Sequence, residues 1–338
     1  MPNLDMLLLK GPPHDNLEAG LDELRYTILT EGVPANNEGM SELRMYIWLI
    51  LLNAPPVKTD VYLDLVHQGA SPAHVKIQND AFRTFQGDPL FRRRVTQNSI
   101  TRVLNAVAWR LNDAHEARVN GWQSPPTLSE FGGSPDTALL SRHSLGTGTS
   151  VRTDASTTND AEQIGYVQGM NVLCGPFLYA ARSEVEAFTA FERLITHECP
   201  GYVRGSMEGV HKGLALVDRV LDVVDPKLYS HLMSHGLEAK IYAFASVLTM
   251  CACTPPLPEV LQLWDFLFAY GPHLNILCIV AQLILMRDQI LNSPSPNHVL
   301  GNRTGFTSLN AKMVIQVAMS FAAKIPEDMY EEIINHAK

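Results

Sequence analysis

The chain has 338 residues, of which 46% are hydrophobic and 18% are charged, so its composition is that of a packed globular protein. Its net charge of −9 disfavours duplex nucleic acid as a partner, because binding to phosphates requires a basic surface. The five cysteines are widely spaced and lie mostly in apolar helical patterns, which is typical of reduced, buried thiols and not of a metal site.

The sequence carries no pattern that indicates secretion or membrane insertion. Its N-terminus lacks the basic region and the cleavage site of a secretory signal. No apolar run approaches the ~18 residues that a membrane-spanning helix needs. We therefore expect a soluble, intracellular protein.

Apolar residues recur at three- and four-residue spacing through the first third of the chain, which predicts a series of amphipathic helices. Capping residues and first-turn prolines mark most of their starts. We place these starts near Leu17, Ser41, Thr59, Ser71 and Ser99.

The composition changes between residues 112 and 162, where Ser, Thr, Asp, Gly and Pro replace the apolar pattern. Such a segment cannot bury a core, so we predict a flexible insertion. It could regulate access to a site, carry phosphorylation sites among Ser141, Ser144 and Thr149, or have no function.

Helical patterns resume after residue 165 and continue to the C-terminus. Asp225 followed by proline, Pro258 and Pro326 mark three helix starts, and residues 275–290 form one strongly apolar helix. No segment shows the alternation of a strand. The sequence therefore predicts an all-α fold, one helical domain with a loop inserted near its middle.

Two short stretches carry polar residues that a core does not explain. Gln168 and Gly169 precede a helix, where a residue without a side chain could let the backbone of another molecule come close. Alternatively, Gln168 satisfies only the amides of the first helical turn. Asp80 and Arg83 are helical neighbours, so the carboxylate could hold the guanidinium in one orientation, or the two form an ordinary surface pair.

Four short blocks follow one another along the chain: Arg44 with Trp48, Ile77 with Asp80, Arg83 and Thr84, Tyr166 with Gln168, Gly169 and Met170, and Leu263 with Trp264 and Asp265. In this order they resemble the signature blocks of the TBC domain, the helical catalytic domain of Rab-type GTPase-activating proteins. The resemblance covers residues 38–291, which leaves helical extensions at 1–37 and 292–338. Other strings, including residues 24–32 and 263–271, resemble a compact fungal branch of the family.

The resemblance implies an arginine finger at Arg83 and a glutamine finger at Gln168, both supplied to the GTP of a partner GTPase. An arginine supplied in trans accelerates such hydrolysis by ~10³–10⁵. The supporting residues that the resemblance implies are Asp80, which would orient Arg83, Thr84, and Tyr166 and Gly169, which would shape the loop of Gln168. Arg44, Trp48, Trp264 and Asp265 would form a structural motif.

The resemblance also implies partners and a place in the cell. The protein would need no cofactor of its own, since GTP and Mg²⁺ belong to a small Ras/Rab-like GTPase. The fungal branch forms the catalytic half of a two-component activator that restrains mitotic exit or septation. A second subunit would then act as scaffold, and the location would be the cytoplasm, the cytoskeleton and the spindle pole body.

The chain departs from the family pattern at Gln78 and Gln86, where the family usually has proline, and at residues 248–253, where an aromatic pair is missing. An interaction module that binds a GTPase or a scaffold without accelerating hydrolysis is therefore an alternative. An unrelated hydrolase is another, although no Gly-x-Ser-x-Gly nucleophile motif occurs.

Overall fold

The structure is a computed structural model that describes residues 3–12, 15–56, 58–119, 165–301 and 308–338. Within these ranges every regular element is helical. The helices are α1 (Asn3–Lys10), α2 (Leu17–Thr30), α3 (Arg44–Leu51), α4 (Thr59–His67), α5 (His74–Arg83), α6 (Pro89–Arg94), α7 (Gln97–Val119), α8 (Met170–Ala180), α9 (Glu184–Arg193), α10 (Pro200–Val203), α11 (Glu208–Val224), α12 (Pro226–Ser234), α13 (Ala239–Tyr242), α14 (Phe244–Leu248), α15 (Leu257–Tyr270), α16 (Asn275–Leu285), α17 (Arg287–Asn292), α18 (Pro296–Gly301), α19 (Ala311–Ala322) and α20 (Glu327–Asn335). A π-helical turn (Leu194–Glu198) follows α9 and a 3₁₀ turn (Pro272–Leu274) follows α15.

Several helix starts follow from local side-chain chemistry. Asp225 accepts a hydrogen bond from the backbone N–H of Leu228, and Pro226 opens α12, as predicted. At α7 the residues Thr96 and Ser99 bond to each other's backbone N–H reciprocally at 3.1 Å, so Ser99 lies in the first turn and does not precede the helix.

Two predicted caps are wrong, one because of a local bond and the other because of a tertiary contact. Ser41 accepts a hydrogen bond from Leu43, but α3 begins at Arg44 without a side-chain cap. Ser71 donates through both its backbone N–H and its hydroxyl to the side-chain oxygen of Asn105 on α7, at 2.9 and 2.8 Å. Ser71 therefore fastens the approach to α5 instead of capping that helix.

Other predicted boundaries also need correction. Helices α1 and α6 are too short for a periodic signal and were not predicted. The apolar helix expected over residues 275–290 breaks at Met286, whose N–H bonds to the carbonyls of both Gln282 and Leu283. Arg287 then begins α17 and pairs at 2.5 Å with Asp225, the cap of α12, which ties α17 to that helix.

The predicted insertion over residues 112–162 begins too early. Helix α7 continues to Val119, with Asn112 bonded to Glu116 one turn later at 2.9 Å. A side-chain pair of helical spacing thus supports the helix where the apolar pattern has ended. Residues 120–162, including Ser141, Ser144 and Thr149, lie outside the described residues.

A buried ion pair joins α3 to α15. Asp265 is 2% exposed and accepts hydrogen bonds from Arg44 Nε at 2.9 Å, Arg44 Nη2 at 3.0 Å and Trp48 Nε1 at 2.8 Å. Arg44 also donates to the carbonyl of Gly39. Because this charge pair is bidentate and fully bonded, it fixes the two helices in one register.

Four aromatic rings surround this pair and connect it to α8. Trp48, Phe177, Trp264 and Phe268 lie with ring centroids 5.1–5.8 Å apart. Trp48 and Trp264 are fully buried, as expected for core anchors. Since Phe177 belongs to α8, this cluster holds α8 against the rigid α3–α15 frame.

Both terminal extensions pack on the central helices. α2 contacts α15, and Leu24 and Ile28 of α2 form a small core with Ile47 of α3. At the other end α19 packs along α15 and α16. The division of the chain at residues 37 and 291 stays a prediction. In the part that the structure describes, no helix is both long and apolar enough to cross a bilayer.

Candidate functional site

The C-terminal end of α5 presents an exposed guanidinium. Arg83 is the last residue of α5 and its side chain is 56% exposed. Its Nη2 lies 2.5 Å from Oδ1 of Asp80, one turn earlier, whose side chain is only 8% exposed. The carboxylate therefore restricts the guanidinium from the buried side while the rest of the group faces solvent.

The same carboxylate binds the segment that precedes α8. Tyr166 is buried and donates its phenolic O–H to Oδ2 of Asp80 at 2.7 Å. Burial, and then the hydrogen bond to Asp80, raises the pKa of Tyr166 far above its usual value. The phenol thus stays protonated and remains a donor, so Asp80 holds Arg83 with one oxygen and Tyr166 with the other.

Gln168 lies in the turn between Tyr166 and α8. Its side chain is exposed and makes no hydrogen bond to another described residue. The residue that precedes α8 is Gly169, and no side chain caps the helix. The alternative that Gln168 serves to satisfy the first-turn amides is therefore wrong, and its carboxamide is free to contact another molecule.

Gly169 is required by the protein's own packing. It has φ +111, which side-chain-bearing residues rarely adopt, and it is buried. A Cβ at this position would lie 2.5 Å from Cδ2 of Leu248. The expectation that the glycine leaves room for the backbone of another molecule is corrected, because Leu248 already fills that space.

Replacing Gly169 with alanine should destabilise the protein by about 1–3 kcal/mol, because the new methyl group is strained and overlaps a buried leucine. Denaturant unfolding measures this loss. Gly32→Ala is the matched control, since Gly32 also has a positive φ (+77) but nothing lies within 4 Å of its Cβ position. Equal losses at the two positions would contradict the proposed overlap with Leu248.

Asn171 links the two segments, and sequence reasoning missed it. Its Nδ2 donates to Oγ1 of Thr84 at 2.9 Å, and its Oδ1 accepts from the backbone N–H of Gly169 at 3.1 Å. Thr84 is buried and donates in turn to the carbonyl of Asp80 at 2.8 Å. The available signal was a carboxamide within the otherwise apolar first turns of α8.

Arg94 fastens the other end of α8. Its Nε donates to the carbonyl of Tyr179 at 2.6 Å and its Nη2 to that of Ala181 at 3.0 Å. These are acceptors that the end of a helix leaves unpaired. Arg94 therefore has a structural role, which the run of three arginines at residues 92–94 does not reveal in the sequence.

The predicted site residues thus meet at the adjoining ends of α5 and α8, and a cation and a carboxamide are exposed there together. Neighbouring Phe82 is 65% exposed. Two cavities of about 420 and 310 Å³ are lined by none of the residues at these two helix ends. In the described part of the chain no group of three or more His, Cys, Asp or Glu side chains could hold a metal ion. The arrangement can offer hydrogen-bond donors to an external anion and orient a water molecule.

Comparison with known proteins identifies the family. Residues 156–291 match the Rab-GTPase-TBC domain family. Cell division control protein 16 of Schizosaccharomyces pombe is 40% identical over 342 residues, covering 100% of this chain and 96% of that protein. The mitotic check point protein BUB2 of Saccharomyces cerevisiae is 34% identical over 97% of this chain and 95% of its own length.

Solved structures agree on the fold. The Ypt/Rab-GAP domain of Gyp1p is 15% identical with a TM-score of 0.64, covering 96% of this chain and 97% of that domain. A Chlamydomonas flagellar RabGAP TBC domain is 18% identical with a TM-score of 0.59, covering 99% of this chain and 89% of that one. The predicted all-α fold and family resemblance are both confirmed. The chain belongs to the TBC-domain family of Rab-type GTPase-activating proteins.

Proposed function

We propose that this protein stimulates GTP hydrolysis by a small Ras/Rab-like GTPase, with Arg83 and Gln168 acting on the nucleotide that the GTPase holds. The observation that carries the proposal is the shared carboxylate of Asp80. It bonds to the exposed Arg83 at 2.5 Å and, through Tyr166 at 2.7 Å, to the segment that presents Gln168. Both side chains are thereby available to one bound molecule.

Each residue has a chemical role in this proposal. The guanidinium of Arg83 neutralises the negative charge that spreads over the γ-phosphate in the transition state. The carboxamide of Gln168 orients the attacking water. Asp80 holds the guanidinium in place before the GTPase arrives, which lowers the entropy lost on forming the transition state. GTP and Mg²⁺ belong to the GTPase, so the activator needs no cofactor.

The form of the site supports a protein partner. Arg83 and Gln168 stand on an exposed rim, and the exposed ring of Phe82 offers apolar area beside Arg83 on the same helix. Exposed aromatic and arginine side chains together are typical of protein–protein interfaces. A nucleotide carried by a GTPase can reach such a rim, whereas a small free substrate would favour a cavity.

The relatives suggest the cellular process. Those with the full-length matches described above are named for cell division control and for the mitotic check point. We therefore assign this activator to the control of mitotic exit or septation, as the catalytic subunit of a two-component activator. On this proposal a second subunit serves as scaffold, and the complex acts in the cytoplasm and at the spindle pole body.

Single-turnover hydrolysis tests the proposal directly. The purified chain, with and without a candidate second subunit, is added to a panel of GTP-loaded Ras/Rab-like GTPases. For its cognate GTPase we expect an acceleration of about 10³-fold or more at saturation. Binding to a GTP-loaded GTPase without any acceleration would favour the scaffold alternative, and the absence of both would overturn the proposal.

A further inference from the structure

We infer that Asn171 is a positioning residue that fixes Arg83 and Gln168 relative to each other. This inference rests on the proposed function, because it assigns a task to Asn171 within the same site. Asn171 itself is buried, with an exposed fraction of only 4%.

The contacts of Asn171 divide between the two segments. On the α5 side, Nδ2 donates to Oγ1 of Thr84 at 2.9 Å and lies 3.4 Å from the carbonyl oxygen of Asp80. On the α8 side, Oδ1 accepts from the N–H of Gly169 at 3.1 Å and lies 3.4 Å from the hydroxyl of Tyr166. One planar carboxamide therefore joins both segments.

The attachment points lie next to the two proposed fingers in the chain. Thr84 directly follows Arg83, and Gly169 directly follows Gln168. A movement of the carboxamide is thus passed to each finger through a single peptide unit. Asn171 belongs to α8, and Phe177 of the same helix packs into the aromatic core. The bridge therefore also anchors both fingers to the packed interior.

The chemistry of the bridge requires an amide. Thr84 uses its only hydroxyl hydrogen on the carbonyl of Asp80, so it can only accept from residue 171. Gly169 offers an N–H, so it can only donate. A side chain that both donates and accepts in one plane satisfies both, whereas a carboxylate lacks the donor and an apolar side chain lacks both groups.

The expected consequence is a loss of rate at saturation with little loss of binding. A displacement of about 1 Å in a catalytic group can lower a rate by about 10²-fold. Interactions that are made only in the transition state affect the turnover rate, and those made equally in both states affect the apparent affinity. Misplaced fingers should therefore lower the turnover rate and leave the apparent affinity nearly unchanged.

Asn171→Ala in the full chain tests the inference. We expect its saturating rate of stimulated hydrolysis to fall by about 10²-fold. Its affinity for the GTP-loaded GTPase should stay near the wild-type value, while its affinity for the GTPase bound to GDP and aluminium fluoride should fall. Combined with Arg83→Ala, the two losses should be less than additive, because one residue acts through the other.

Asn105→Ala is the matched control. Asn105 is also buried (6% exposed) and also bonds the approach to α5, but at Ser71, near the opposite end of the helix from Arg83. A merely structural effect would lower the stability of both variants and leave the saturating rate of the folded protein unchanged. Thermal unfolding of each variant provides that comparison.

A second variant cuts the bridge from its other end. Thr84→Val is nearly isosteric and removes the acceptor of Asn171 without changing Asn171, so it decides the matter if Asn171→Ala does not fold. Wild-type saturating rates in folded Asn171→Ala or Thr84→Val would overturn the inference. If Arg83→Ala is itself without effect, the proposed function fails, which is a different and separately visible result.

Discussion

Arg83→Ala should lower the stimulated rate of GTP hydrolysis by about 10³-fold or more while the protein remains folded. Arg83 itself is exposed, and Asp80 keeps the hydrogen bond from Tyr166 when the guanidinium is removed, so we expect the variant to fold. In the transition state, by contrast, the guanidinium would face the negative charge that spreads over the γ-phosphate. Single-turnover hydrolysis with the cognate GTPase measures the loss.

Arg83→Lys separates charge from geometry. Lysine keeps the positive charge but cannot bond through two parallel N–H groups, so we expect it to recover only a minor part of the rate. If the lysine variant were fully active, the two-pronged geometry of the guanidinium would have no role. If the alanine variant were fully active, Arg83 would not be a finger at all.

Arg182→Ala is the matched control for this experiment. Arg182 is exposed and pairs with Glu186 one turn away at 3.1 Å, as Arg83 pairs with Asp80. It stands beyond the C-terminal end of α8, whereas Gln168 precedes the N-terminal end. We expect its removal to leave hydrolysis unchanged, because the same type of surface pair is then lost away from the site.

Asp265→Ala should cause the largest loss of stability, about 3–5 kcal/mol, because it leaves the buried guanidinium of Arg44 without its counter-charge. It also removes the acceptor of Trp48 Nε1. Denaturant unfolding measures the loss, and Asp265→Asn should recover part of it by restoring an acceptor.

An exposed pair provides the comparison for Asp265. Glu238 and Lys240 approach to 2.6 Å, but both side chains face solvent. Removing Glu238 should change stability by less than about 1 kcal/mol. Similar losses for Asp265→Ala and Glu238→Ala would mean that the α3–α15 pair does not hold the frame as described.

The sequence was sufficient for the helical fold and for the two blocks that carry Arg83 and Gln168, because periodicity and motif spacing are local properties. It was insufficient for Asn171 and Arg94, whose roles depend on which backbone groups another segment brings near.

Ser71 illustrates the same limit. Its local pattern favours a helix cap, but its N–H and hydroxyl donate instead to the buried carboxamide of Asn105. Gly169 was noticed for a valid reason, its missing side chain, yet only the position of Leu248 explains it.

The bonds of Thr84 and Arg94 to opposite ends of α8 have a mechanical consequence. Residues 84–94 run beside a helix of 11 residues, about 16 Å long, and are fastened to it at both ends. Two separated fastenings prevent α8 from sliding or swivelling against this segment, as a single one would not. Arg83 and Gln168 should therefore move together as one rigid unit. Any conformational change that adapts this surface to a docking protein must then occur in segments outside that unit.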